Sequence, residues 1–320
     1  MRTHACASVI LFLIVAPCAS VLGQERDRIQ ELKHLGLREI SGQIHTYYSE
    51  GFEDRARDLQ HTLQAEVAFF HQMLQVDVST QLAVLNRDHW GETSGTLPYG
   101  ILYVSENPAI VFLPAESGGP VSDDFRKLRP PGTNPWWIEE AGLSFNQAAG
   151  RMVDLIAFHE IGHVVHRALE VGDSNSWFKE FFATYLSYCF LRQERPEMAG
   201  IWNGMMQLKA QSPRPTHTTL ADFEALVFGV GLENYIWYEA QFQVRAHEVY
   251  EAVGLDFIDL VSSAYPKDEG SIKPRELLDR LEETVPGFLR WAEAFRSMPA
   301  PPGGQIGDEP SEIFNVGVGA

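Results

Sequence analysis

Cysteine is almost missing from this sequence: Cys6, Cys18 and Cys189 are the whole complement in 320 residues. Two of them fall in the first 23 residues, so a chain trimmed of that segment keeps Cys189 alone and forms no internal disulfide. Positive charge is scarce as well. Lys and Arg number 25 against 43 Asp and Glu, a formal net charge of −18. Such a surface makes the phosphate backbone of DNA or RNA a poor partner, and no nucleic-acid role is expected. No internal repeat is visible, and beyond the first residues no run of 18 or more apolar residues occurs, so no transmembrane span is expected there. Glycine patterns of the GxGxxG or GxxxxGK[ST] kind are absent, and Cys189 has no catalytic motif around it.

What is present begins with a leader. Arg2 and His4 precede an apolar run from Val9 to Ala16, and Pro17 and small residues lead on to Val21 and Gly23. The run is about half of a membrane span, and the pattern predicts a secretory signal over 1–23, cleavage before Gln24 and an exported protein, periplasmic or extracellular. With 45% hydrophobic residues the chain can build a sizeable core without disulfides.

Periodicity then predicts an α+β protein. The segment 37–49 mixes β-branched and aromatic residues and reads as a strand in its second half. Ala56, Leu59, Leu63, Val67 and Phe70 give residues 52–74 helical spacing. Short strands are expected over 80–86, 101–104 and 109–115, and the proline-rich stretch 118–135 reads as a loop without packing periodicity. From Leu143 the pattern is helical: 145–170, 176–193 with Asp173 and Ser174 as caps, and an amphipathic stretch ending before Pro213. Helices follow near 219–228, 232–253, 256–263, 272–283 and 286–297. The expected organisation is a signal over 1–23, an α+β part over 24–142, a helical part over 143–297 and a mobile tail over 298–320.

HEIGH, residues 159–163, carries the chemistry. On a helix, residues four apart share a face about 6 Å apart along the axis, so the His159 and His163 imidazoles can converge on one ion. Glu160 lies beside that face, where a base can take a proton from water. Gly162, without a side chain, lets another element approach closely. The surrounding helix is apolar (Val153, Leu155, Ile156, Phe158, Ile161, Val164, Val165), and burying this polar trio calls for a metal or a hydrogen-bonded network. His166 and Glu170 continue the face but lie too far along it. Glu180, among apolar neighbours in WFKEFFATY after a short reversal, is the better third ligand.

HEIGH followed by WFKEFFATY resembles the gluzincins, the thermolysin-like and aminopeptidase-like zinc metallopeptidases. The resemblance implies His159, His163 and Glu180 as ligands of one zinc ion, with Glu160 as the base. Many members carry a carboxylate four residues past the ligating glutamate to orient a histidine, where this chain has Thr184. The metzincin pattern fails, since His166 and Leu169 occupy its glycine and last histidine positions. A tyrosine from a later helix often faces the scissile carbonyl in such enzymes. Tyr238 matches that position best, Tyr235 is the alternative one turn earlier, and either ring also suits an aromatic core. The resemblance further implies a zincin-like fold, a small mixed sheet whose edge strand packs on the metal helix and pairs with extended peptide. Ala109 to Ala115 serves either as that edge or as a central strand. The function expected is zinc-dependent hydrolysis of a peptide or protein substrate. The alternative is a secreted zinc-containing protein that binds peptides, or uses the metal for structure, without catalysis.

Overall fold

The computed structural model describes residues 28–297 apart from 96, 133, 170 and 214. The expected signal (1–23) and tail (298–320) lie outside the described residues, as does Glu170. The first part of the chain runs α1 (Arg28–His34), β1 (Arg38–Ile40), β2 (His45–Tyr48), α2 (Glu53–Leu74), β3 (Gln81–Leu85), α3 (Arg87–Thr93), β4 (Tyr103–Ser105) and β5 (Ile110–Pro114). Its strands form one five-stranded mixed sheet in the order β1-β2-β3-β5-β4. β2, β3 and β5 are parallel, and β1 and β4 are antiparallel edges.

Alternation along the strands builds two layers on this sheet. Leu82, Val84, Val111 and Leu113 point to the main core under α2, while Ala83, Leu85, Ile110 and Phe112 pack with Leu32 of α1 and Trp90 of α3. Every residue of β5 is therefore buried, which is why it reads as an unbroken apolar run. β5 is a central strand, and the edge beside the metal helix is β4.

The second part is helical: α4 (Pro120–Arg126), α5 (Trp136–Glu140), α6 (Phe145–Ala168), α7 (Ser176–Glu194), α8 (Pro196–Ala210), α9 (Leu220–Leu226), α10 (Leu232–Val253), α11 (Phe257–Ala264), α12 (Pro274–Thr284) and α13 (Phe288–Ser297). The expected loop over 118–135 thus contains one helix and leads into another. Pro120 sits in the first turn of α4, where its missing N–H costs nothing. Val121 and Phe125, four apart, are buried in the main core on the side of α6. About two turns are too short to show as periodicity. A single apolar core runs from Ile40 to Phe295 and joins sheet to helices. The result is a zincin-like α+β architecture, with α6 running beneath β4 and β5 and packed along α7.

Candidate metal centre

Helix α6 starts at a capping box, in which Ser144 accepts from the Gln147 backbone and Gln147 reaches back to the Ser144 N–H. Its second half is buried on nearly all sides, so HEIGH is held rigidly between the sheet and α7. At Gly162 the two helices nearly touch: an added Cβ would lie 2.3 Å from the Ala183 carbonyl oxygen. Ser187 Oγ crosses the same contact and donates to the Phe158 carbonyl at 2.6 Å.

The reversal between α6 and α7 is pinned from outside. Gly172 N–H donates to the Tyr265 carbonyl, and Asn175 Nδ2 donates to the Tyr265 hydroxyl and the Ile272 carbonyl, at 2.8, 3.0 and 3.0 Å. The expected caps of α7 are replaced. Its first N–H groups, Ser176 and Trp177, donate to the Glu224 carboxylate of α9 at 3.2 and 3.3 Å. A carboxylate at this end satisfies orphan donors and complements the helix dipole. Ser174 instead bonds the Tyr265 hydroxyl.

These supports bring Glu180 back alongside α6. His159 Nε2 and His163 Nε2 each lie 3.1 Å from the same Glu180 oxygen, Oε2. The two imidazoles stand nearly perpendicular, at 86°, with centroids 4.6 Å apart. One ligand atom from each of the three residues falls within 4.8 Å of the others. This is the gluzincin HExxH…E arrangement of zinc ligands. The residues fit the metal: bonds of about 2.0–2.2 Å in a tetrahedral zinc site put neighbouring ligand atoms about 3.3–3.5 Å apart, close to the two 3.1 Å separations. His159 Nδ1 lies 2.9 Å from Thr184 Oγ1. With Nε2 turned to the metal, Nδ1–H donates to this hydroxyl, so Thr184 does in this chain what a carboxylate does at that position in many gluzincins.

The site is strongly acidic. Burial opposes charge on His159, but the bond to Glu180 and the fields of Glu239, Glu180 and Glu160 outweigh it and hold the ring at about 9. Burial likewise resists ionisation of Glu180, yet the two histidines overcome it and pull its carboxyl well below the usual range. Glu160 is raised by burial, with the histidines opposing. Glu239 is raised to about 8, first by burial and then by Glu180. A buried space with this many acids favours a cation.

Two of these neighbours come from α10, and only one was foreseen. The hydroxyl of Tyr238 is committed elsewhere: it donates to the Thr219 carbonyl at 2.8 Å, and its charged neighbour is Asp222. Tyr235, one turn earlier, lies among Glu180, Glu239 and Glu160, and burial and these acids raise its pKa well above the ordinary value. Glu239 went unrecognised in the sequence. It follows Tyr235 by four residues and so shares its face, which was the available signal. The remaining polar residues are accounted for away from the cluster. His166, four-fifths of a turn past His163, faces the Gly172 carbonyl at 3.3 Å, and burial lowers its pKa to about 3. His247 pairs with the Tyr188 hydroxyl at 2.8 Å, the Tyr185 hydroxyl donates to the Gly254 carbonyl, and Cys189 is buried and free.

No protein-family model, curated protein or solved structure matches this chain. The assignment therefore rests on the ligand geometry itself, which supports a metallopeptidase-type catalytic site for metal-activated hydrolysis.

Proposed function

We propose that this chain hydrolyses peptide bonds in a peptide or protein substrate, with one zinc ion held by His159, His163 and Glu180. The observation that carries the proposal is the meeting of both Nε2 atoms on one Glu180 oxygen, with Glu160 one residue along the same helix. Zinc bound there supplies a Lewis acid that polarises a carbonyl and makes water acidic near neutral pH. Glu160 accepts the proton of the attacking water and delivers it to the departing amine nitrogen. Thr184 fixes the ring of His159. Tyr235, rather than Tyr238, is the hydroxyl positioned to donate to the oxyanion as the carbonyl carbon becomes tetrahedral. The short edge strand β4, next to α6, offers backbone groups for pairing with extended substrate.

Among the described residues no helix is long and apolar enough to cross a membrane, and the leader over 1–23 supports export to the periplasm or beyond. The test uses the chain from Gln24 onward, loaded with zinc and incubated with a mixed peptide library read by mass spectrometry. Cleavage is expected, and Glu160→Gln should abolish it while keeping one zinc per chain. Tyr235→Phe should lower kcat by about 10²-fold or more, as removal of an oxyanion donor does, with Tyr238→Phe close to wild type. A zinc-loaded wild type that cuts no peptide, or a Glu160→Gln variant that cuts as fast, overturns the proposal.

A further inference from the structure

One cation stands beside this acidic site, and its bonding is incomplete. Arg167 lies one turn past His163 on α6, with its side chain 32% exposed. Its Nε donates to the His163 carbonyl at 3.3 Å. Nη1 faces Glu106, but at 3.8 Å, beyond hydrogen-bond reach, and the Glu106 side chain is 75% exposed. An ion pair that long and that open contributes little. Nη2 is buried and has no hydrogen-bond partner among the described residues. The charged neighbours of Arg167 are Glu106, Glu160 and Asp173, and of these only Glu106 comes within ion-pair distance. A guanidinium stays charged and offers a fixed fork of N–H donors. A buried donor left without a partner is uncommon in native proteins and calls for a cause.

The place of Arg167 supplies that cause. Glu106 follows Ser105, the last residue of β4, so the guanidinium sits at one end of the sheet edge that borders α6. A peptide paired along β4 and reaching the metal ligands therefore passes it. Arg167 is four residues beyond His163, a rise of about 6 Å along the helix, and an extended peptide advances about 3.3 Å per residue. The substrate group that meets Arg167 is thus about two residues from the bond that is cut. The donors define its chemistry. A planar fork of N–H groups matches the two oxygens of a carboxylate, and the charge-assisted pair is stronger than a neutral hydrogen bond. An ammonium would be repelled, and a backbone carbonyl would leave the charge unanswered.

Resting on the hydrolytic reading above, we propose that Arg167 binds a carboxylate of the substrate near the scissile bond, so that the site selects peptides carrying an acidic group there. The incoming carboxylate takes the place of Glu106 and spans Nη1 and Nη2. The His163 carbonyl holds Nε throughout, so the guanidinium is oriented before the substrate arrives and little ordering is left to be done on binding. The carboxylate belongs either to an Asp or Glu side chain or to the C-terminus of a short peptide, since both present the same two oxygens. Arg167 touches no reacting atom; its part is selection.

The test uses the zinc-loaded chain and two peptides that differ only in Glu or Gln at the selected position, which the cleavage sites of the mixed library identify. Each peptide is made with a free and with an amidated C-terminus. The acidic peptide should be cleaved at least about tenfold better in kcat/KM, as one charge-assisted hydrogen-bonded pair provides, and chiefly through KM. A preference that persists in the amidated pair assigns the side chain; one that follows the free C-terminus assigns the α-carboxylate. Arg167→Gln should bring the acidic peptide down to the level of the neutral one, with zinc content unchanged. Arg167→Lys, which keeps the charge and loses the fork, should retain only part of the preference, and Glu106→Gln, which removes the competing carboxylate, should widen it. Binding gives a second readout: by calorimetry, zinc-loaded Glu160→Gln should hold the acidic peptide at least about tenfold more tightly than the neutral one. Equal cleavage and equal binding of the two peptides, or a preference that Arg167→Gln leaves unchanged, overturns the role of Arg167 while leaving the hydrolytic reading intact. Cleavage of neither peptide overturns both.

Discussion

Gly162→Ala is expected to loosen the fold and the zinc site together. The added methyl carbon would lie 2.3 Å from the Ala183 carbonyl oxygen, 2.7 Å from Ser187 Oγ and 2.9 Å from the Ala183 carbonyl carbon. Ordinary contact begins near 3.4 Å, so α6 and α7 must part by about 1 Å, and two of the three obstructing atoms are backbone that cannot rotate aside. Overpacking of this kind costs about 1–3 kcal/mol. The Ser187 to Phe158 bond across the same contact contributes about 1 kcal/mol more if it breaks. Against this, alanine gains about 1 kcal/mol of helix propensity over glycine. The net expectation is destabilisation by about 1–3 kcal/mol, measured by urea unfolding of the metal-free protein. Zinc should suffer more. His163 adjoins Gly162 and Glu180 is one turn before Ala183, while metal–ligand distances tolerate about 0.2 Å. Affinity measured by competition with a chromophoric chelator should fall at least about tenfold. Gly200→Ala on α8, where a Cβ meets nothing within 4 Å, is the control and should stabilise by up to about 1 kcal/mol. A Gly162→Ala protein that gains stability like the control and binds zinc within twofold of wild type would refute the close-packing argument.

Thr184→Val keeps the shape and removes the hydroxyl that faces His159 Nδ1 at 2.9 Å; zinc affinity should drop about 10–100-fold, with Thr184→Ser near wild type, and equal affinity for all three would dismiss the orienting role. Glu66, on α2, tests the buried electrostatics. Its carboxylate is fully buried, and burial lifts its pKa well above 4.5, with Ser187 and His159 only partly opposing. The native state therefore holds the proton that the unfolded chain releases above pH 4.5. This group's contribution to stability is full below that pH and is lost as pH rises, by up to ~1.4 kcal/mol per unit. Glu66→Gln cannot ionise, so its Tm relative to wild type should climb between pH 5 and 8; a difference that stays flat over that range contradicts the assignment.

What the sequence made legible was local. His159, Glu160 and His163 are related by helix geometry alone, and Glu180 follows because a seven-residue reversal, 169–175, leaves α7 nowhere to go but back along α6. Strands β2, β3 and β5 were legible for the same reason, each carrying its own period or apolar run. What stayed hidden was decided by distant partners. Tyr235 and Tyr238 lie within one turn of each other, and they are told apart by the Thr219 carbonyl at the start of α9. No spacing within α10 contains that information. Nothing within α10 singles out Glu239, because its acidic neighbours Glu160 and Glu180 arrive from α6 and α7. Likewise Glu224 displaced Asp173 and Ser174 as the cap of α7 from 48 residues down the chain. β5 became a central strand because β4 covers its free side.

The same geometry separates a working metal site from a structural one. Structural zinc is closed by four protein ligands, whereas catalytic sites keep three and leave one position open. Among the described residues, His159, His163 and Glu180 are the whole ligand group. Nor does the fold depend on metal to hold α6 against α7, since both helices belong to one apolar core with Phe158, Ile161, Phe181 and Phe182 all fully buried. A metal serving structure would need no further acids beside it. Glu160 is nonetheless buried and Glu239 half-buried near the ligands, and both Glu180 and Glu160 raise the cost of ionising Glu239. Carboxylates held close together against their mutual repulsion weaken a fold. Their presence is intelligible where one of them moves a proton.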